Sequence, residues 1–310
     1  VTKLFKRHLS KSVGAALGMA TAGFAGAAMA AQPEPWQMGM QAAATSVMDD
    51  VRWFNDFTLI IVSAITLFVL GLIIYCVVRF NKRANPTASR TSHNTMIEVV
   101  WTVVPILILV VISVPSFRLL FKQLDVPEYE MTVKATGYQW YWGYEYMDEG
   151  MEDVYFDSIM LTDEQRRERM QAMGLTERDV PRLLAADYNM VVPEDTNVRV
   201  LVTAADVIHS FAMPAFGVKI DAVPGRLNET WFNAREPGMY YGQCSELCGK
   251  DHAFMPIAIQ VVTAEQYAAW SEAAKTDLDE ANTMLASMIE EEKRKTAMVD
   301  DATELAVAAR

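Results

Sequence analysis

Histidine and cysteine are both scarce in this chain: 310 residues hold four of the first and three of the second. Cys76 falls in a long uncharged run, where a thiol ordinarily serves as a small hydrophobe. Only Cys244 and Cys248 are then left for chemistry, which excludes a framework of several disulfides. Positive charge is also short, with 27 Lys and Arg against 39 Asp and Glu and a net charge of −12. From residue 123 onward 34 acids face 16 bases, a balance of −18. Such a field argues against nucleic acid and favours steering of a basic partner. Internal repeats are missing too.

Charge is absent altogether from two stretches. Phe57 to Val78 has none, and a helix of that length covers about 33 Å, enough for a bilayer core. A second apolar run leads from Val99 to Phe117 and carries Pro105 and Pro115, which are tolerable where neighbouring helices satisfy the freed carbonyls. The reading is a two-span hairpin, helices over 57–78 and 97–117 with a loop over 79–96. That loop holds Arg79, Lys82, Arg83 and Arg90 with no acid before Glu98, so the positive-inside rule sets it in the cytoplasm and both termini outside. Residues 1–30 begin with Lys3, Lys6, Arg7 and Lys11 and end on Ala28-Met29-Ala30, the pattern of a secretory signal cut before an exported 31–56 segment. It predicts the same orientation.

Beyond Phe121 hydrophobicity alternates in short segments: Glu130 to Thr136, Tyr138 to Tyr146, Asn197 to Thr203 and Pro256 to Val262. Period two means half-buried strands. Turn signals at Pro193-Glu194-Asp195, Pro224-Gly225 and Pro237-Gly238 favour an antiparallel β-sandwich or barrel over 123–263. The charged 162–181 stretch reads as a helical insertion, and 264–310 as a solvated helical tail. Tyr138, Trp140, Trp142, Tyr144 and Tyr146 alternate, so one face of a single strand presents five aromatics.

Residues 244 to 255 read Cys-Ser-Glu-Leu-Cys-Gly-Lys-Asp-His-Ala-Phe-Met. Cys244, Cys248, His252 and Met255 within twelve positions supply two thiolates, an imidazole and a thioether, a set that copper prefers. His209, in Asp206-Val207-Ile208-His209, lies on a strand able to fold back beside this loop. His8 belongs to the signal and His93 to the cytoplasmic loop, so both exported histidines join the constellation. A disulfide leaves His252 and Met255 without purpose, and zinc has no use for Met255. A mononuclear blue-copper site needs one cysteine fewer. Two thiolates bridging two copper ions, each with one histidine, use every group.

The segment Pro237-Gly238-Met239-Tyr240-Tyr241-Gly242-Gln243 running into Cys244 through Met255 resembles cytochrome c oxidase subunit II. The likeness extends to Phe216 through Arg226, to the aromatic run and to the hairpin anchor, leaving out only the insertion and the tail. It implies a two-helix anchor followed by an all-β cupredoxin-like Greek-key sandwich holding two copper ions as the CuA centre. The ligands it implies are His209, Cys244, Glu246 by its carbonyl, Cys248, His252 and Met255. It further implies that the Glu246 side chain helps bind a Mg or Mn ion shared with subunit I. Trp140 is implied as the point where electrons arrive from cytochrome c, and Glu98, three residues before Trp101, as the mouth of a proton path into subunit I. Haem, a further copper and oxygen chemistry coupled to proton translocation then belong to subunit I, beside subunit III, in a bacterial inner membrane with the copper domain periplasmic. Glu145, Asp148, Glu149, Glu152, Asp153 and Asp206 are expected to gather around Trp140 and steer the cytochrome.

A quinol oxidase subunit II lacks the copper ligands present here, and a nitrous oxide reductase needs a large additional propeller. A membrane-tethered copper chaperone has no use for the aromatic strand or for Glu98.

Overall fold

A computed structural model describes residues 32–308; the expected signal segment lies outside them. Two long helices open the fold, α1 (Ser46–Arg79) and α2 (Thr95–Leu124). Thr45 and Asn94 cap them by accepting the backbone N–H of Met48 and Ile97, which satisfies donors that helix ends leave unpaired. Both are apolar and long enough to cross a membrane. At about 51 and 45 Å they also outreach the apolar core of a bilayer. The extra turns carry Asp49, Asp50, Arg52 and Asp56 on α1 and Arg118 and Lys122 on α2. Hydropathy marked only the lipid-facing part of each.

The helices meet the β domain at these polar ends. Lys122 pairs with Asp50 and Arg235 with Asp49 at 2.9 Å. The Arg235 guanidinium also donates to the carbonyls of Ala43, Ala44 and Thr45. The Thr45 hydroxyl donates to Phe216 O at 2.8 Å, and Gln123 reaches Gly217 O. The anchor is thus clasped to the domain through both helices.

The domain packs a five-stranded sheet, ordered β3 (Tyr155–Ser158), β2 (Tyr141–Tyr146), β1 (Met131–Tyr138), β5 (Val198–Ala204) and β8 (Asn228–Phe232), against two smaller ones. The first joins β4 (Met190–Pro193), β10 (Pro256–Val262) and β9 (Gly238–Gln243); the second joins β6 (His209–Met213) and β7 (Val218–Ala222). Val133, Trp142, Tyr144, Val200, Phe211, Met213, Ile257 and Ile259 belong to one buried core between them. The expected antiparallel sandwich is corrected to a mixed one, because β1 with β5 and β10 with β4 run parallel. Parallel partners require long connections, and residue alternation carries no information about a partner's direction.

The single aromatic strand is likewise corrected. β1 and β2 form an antiparallel hairpin pairing Tyr138 with Tyr141, so Gln139 and Trp140 make its turn. Trp142, Tyr144 and Tyr146 remain core residues on β2, whereas Trp140 is only partly covered at the tip.

In the insertion, α3 (Asp163–Met173) is bounded by a Thr162–Gln165 capping box and a left-handed Gly174. The tail forms α4 (Ala264–Ala274) and α5 (Leu278–Ala308). It is not wholly solvated: Trp270, Ala281 and Leu285 are buried against the core.

Candidate metal centre

The twelve residues from Cys244 to Met255 connect β9 to β10, which pair antiparallel with Gln243 opposite Pro256. The loop is therefore pinched at its base, and Cys244 N–H lies 3.4 Å from Met255 O. Ser245 N–H donates to Ser210 O at 3.0 Å, tying the loop to β6. A Cβ on Gly242 would stand 1.9 Å from Ala212 O, so only glycine lets β9 approach β6 closely enough to bring His209 beside the loop. His209 and Met255 are buried with the two cysteines; His252 is half-buried.

The sulfurs of Cys244 and Cys248 are 3.9 Å apart, well beyond the ~2.05 Å of a disulfide. His209 Nδ1 lies 3.9 Å from Cys244 Sγ, and His252 Nδ1 lies 3.6 Å from Cys248 Sγ. Met255 Sδ is 3.5 Å from Cys248 Sγ, and the Glu246 carbonyl is 3.4 Å from Cys244 Sγ. His209, Cys244 and Cys248 form a metal-competent cluster with ligand atoms within 4.8 Å of one another. A metal held about 2.3 Å from thiolate sulfur touches both sulfurs only if they lie within about 4.6 Å, and this pair meets that condition. The set of soft sulfur and imidazole donors suits copper.

The thiols differ electrostatically. Burial pushes Cys244 up, but hydrogen bonding with His209, with the backbone at Glu246 and Ser210, and with His252 brings it below the ordinary thiol range. Cys248 is pushed above that range by burial and by the neighbouring Cys244 charge. Without a cation the pair holds one negative charge comfortably and not two. A bound cation would favour the doubly deprotonated pair.

Asp206 ties this cluster to the hairpin tip. Its Oδ1 lies 2.9 Å from His209 Nε2 and its Oδ2 accepts Gln139 N–H at 2.8 Å. From the tip, Gln139 Nε2 and Trp140 Nε1 both donate to Cys248 O, at 2.9 and 3.3 Å. Gly249 lies beneath the indole, where a Cβ would come within 2.9 Å of Trp140 Cζ2. Trp140 is thus in hydrogen-bond contact with a ligand-bearing residue.

The remaining acids do not gather at this tip. Glu145 pairs with Lys134 at 2.8 Å. Asp148 accepts Thr132 N–H at the opposite end of the hairpin, and Glu149, Glu152 and Asp153 follow it there. Five residue steps along β2, Tyr141 to Tyr146, separate the two ends, roughly 17 Å at strand rise. The acid that the sequence did not single out is Asp157: it is exposed on β3 opposite Gly143. With Asp206 it raises the Tyr141 pKa, after burial as the largest cause. Glu246 is exposed on the loop, and Glu98 is half-buried in the first turn of α2, remote in sequence from the cluster.

Comparison with known proteins accords with this architecture. Residues 131–262 match the family model for the cytochrome c oxidase subunit II periplasmic domain, and residues 33–119 match the one for its transmembrane domain. A probable cytochrome c oxidase subunit 2 of Rickettsia bellii is 50% identical over 247 residues, covering 80% of this chain and 87% of its own. Cytochrome c oxidase subunit 2 of Cereibacter sphaeroides is 45% identical over 295 residues, covering 90% and 96%. The crystal structure of the periplasmic domain of subunit II of cytochrome oxidase (CoxB) of Bradyrhizobium japonicum is 56% identical, with a TM-score of 0.43, covering 50% of this chain and 99% of its own. With its two membrane helices, its copper-binding domain of cupredoxin type and relatives matched over most of their length, the chain belongs to the cytochrome c oxidase subunit II family.

Proposed function

We propose that this subunit receives electrons from a cytochrome c at Trp140 and holds them at a dinuclear copper centre of the CuA type before they pass to haem in subunit I. The ligands are His209, Cys244, the Glu246 carbonyl, Cys248, His252 and Met255. One observation carries the reading: two free thiols lie 3.9 Å apart, with a separate imidazole nitrogen against each. When bound, the copper pair supplies a one-electron store in which charge is spread over two metals, so that little geometry changes on reduction.

The chain's own residues do the rest. Cys244 and Cys248 would hold the metal between them, the pinched β9–β10 loop fixes their separation, and Asp206 orients His209. Trp140 offers a partly exposed indole whose N–H is bonded to the Cys248 carbonyl, a short covalent route to the thiolate. Of the acids, Asp206 is the one we assign first to docking, since it touches the hairpin tip, with Asp157 beside it. Glu145, Asp148, Glu149, Glu152 and Asp153 form a more distant acidic surface able to steer a basic partner only through the long-range field.

The exposed Glu246 side chain is available to a Mg or Mn ion completed by ligands of subunit I. Glu98 opens a proton path on the opposite side of the membrane. The loop charges favour a copper domain on the periplasmic side of a bacterial inner membrane, with subunit III beside it in the assembly. Residues 1–30 serve as the export signal. Metal analysis and paramagnetic resonance of the purified oxidase test the central claim. Two coppers in this subunit and one unpaired electron shared by equivalent nuclei are expected; a single copper, or a Cys244–Cys248 disulfide in the active complex, overturns it.

A further inference from the structure

Charges of both signs lie near Trp140. At the hairpin tip Asp206 accepts Gln139 N–H, and Asp157 lies on β3 opposite Gly143. Over the ring stands Lys250, its Nζ 5.4 Å from the indole centroid. This is not an arbitrary surface lysine. It follows Gly249, which has φ of +130° and whose close approach to Trp140 excludes a side chain, so the contact that seats the indole also fixes where Lys250 begins. Its ammonium forms an exposed ion pair with Asp251 at 3.6 Å, a loose surface pair that contributes little and that a docked group can replace. The side chain is 77% exposed, leaving its charge available to a docked molecule.

We infer that Lys250 is a specificity-determining residue that selects among electron donors by demanding a carboxylate or neutral group at one point on the rim of an otherwise basic docking face. The inference rests on the docking reading given above. A cation set beside the arrival point penalises a donor that is uniformly basic there and rewards one carrying an acid, while the surrounding acids attract the remainder of its face. Charges arranged in this way fix orientation and partner choice more than overall affinity.

The test uses the purified oxidase with Lys250, Lys250→Arg, Lys250→Met and Lys250→Glu. Its donors are a lysine-ringed cytochrome c and variants of that cytochrome in which single rim lysines are replaced by glutamate. For at least one rim position, the ratio of kcat/KM for the basic parent to that for the glutamate variant is expected to rise about three- to tenfold from Lys250 to Lys250→Glu. Methionine should fall between them and arginine should match lysine, with the spread closing at high ionic strength. Each ratio is taken on one enzyme preparation, so loss of copper cancels. A ratio that stays flat across all four chains at every rim position overturns the inference. Trp140→Phe and Asp206→Asn are run in the same assay. If they slow the basic donor while the Lys250 ratios stay flat, the role of Lys250 alone is rejected; if they too have no effect, the docking surface lies elsewhere and both readings fail.

Discussion

Nε2 of His209 lies 2.9 Å from Oδ1 of Asp206, while the opposite ring nitrogen faces Cys244 Sγ. An ionised carboxylate only accepts hydrogen bonds, so Nε2 carries the proton and Nδ1 keeps a lone pair free on the Cys244 side, where a metal could take it. Carboxylate partners of this kind orient a ligating imidazole and raise its basicity. Asp206→Asn keeps an accepting oxygen but removes the charge. It is expected to weaken copper binding by about 10- to 100-fold, read by competition with a chelator. Unchanged affinity would assign Asp206 to the hairpin tip alone.

Glu98 stands half-buried in the first turn of α2, one turn before Trp101. An acid at the edge of a membrane span calls for a functional reason. Glu98→Gln in the assembled oxidase should slow proton uptake severalfold and leave the copper spectrum as it was. Equal turnover in the two enzymes would remove the proton-path role.

How far the sequence revealed this arrangement depended on whether the relevant residues were neighbours in the chain. The copper loop was legible because four donors fall within twelve residues, and the helices because hydropathy reports lipid contact directly. The turn at Gln139–Trp140 was hidden: alternation of aromatics continues straight through it, with no Gly, Pro, Asn or Asp to mark a reversal. Trp140 therefore seemed to share a face with Trp142, although one caps the site and the other is core. The acids after Tyr144 seemed close to Trp140 by count, but an extended strand turns a few residues into a large distance. Asp157 and Lys250 reach the tip from other segments, through the β2–β3 pairing and the close approach of Gly249, and neither leaves a mark in the linear pattern.

Asp187, just beyond the insertion, offers a check on the electrostatics of the domain. Its Oδ1 accepts the N–H groups of Ile159 and Tyr188 at 2.7 and 2.8 Å, yet burial outweighs both and holds its pKa above the usual carboxylate value. A raised folded-state pKa means that the group's favourable contribution is complete below its unfolded pKa, about 3.9. That contribution is lost as pH rises through the raised value. At neutral pH the fold therefore carries a charge it disfavours. Asp187→Asn retains an acceptor for both N–H groups and should stabilise the domain by up to about 1 kcal/mol at pH 7. The gain should vanish near pH 3 in calorimetric unfolding. A gain of equal size at both pH values would point to packing instead.

Two glycines separate the roles of the metal ligands and of Trp140. A Cβ at Gly137 would lie 2.8 Å from His209 Cδ2, within β1 and against a ring with 0% exposure that has nowhere to retreat. Gly137→Ala is therefore expected to displace His209 and reduce copper occupancy or alter the copper spectrum. At Gly249 the obstacle is the Trp140 indole, and the backbone φ of +130° is itself strained for any residue with a side chain. Gly249→Ala should push the partly exposed indole outward and lengthen its 3.3 Å hydrogen bond to Cys248 O, while His209 keeps its place. Its signature is slowed reduction by cytochrome c, at least about tenfold if the indole is the coupling element, in a subunit whose copper content is retained. The two variants thus fail in opposite ways, and metal analysis alongside stopped-flow reduction distinguishes them. If Gly249→Ala retained copper and accepted electrons at the original rate, Trp140 would be a packing residue and the route to Cys248 would have to begin elsewhere.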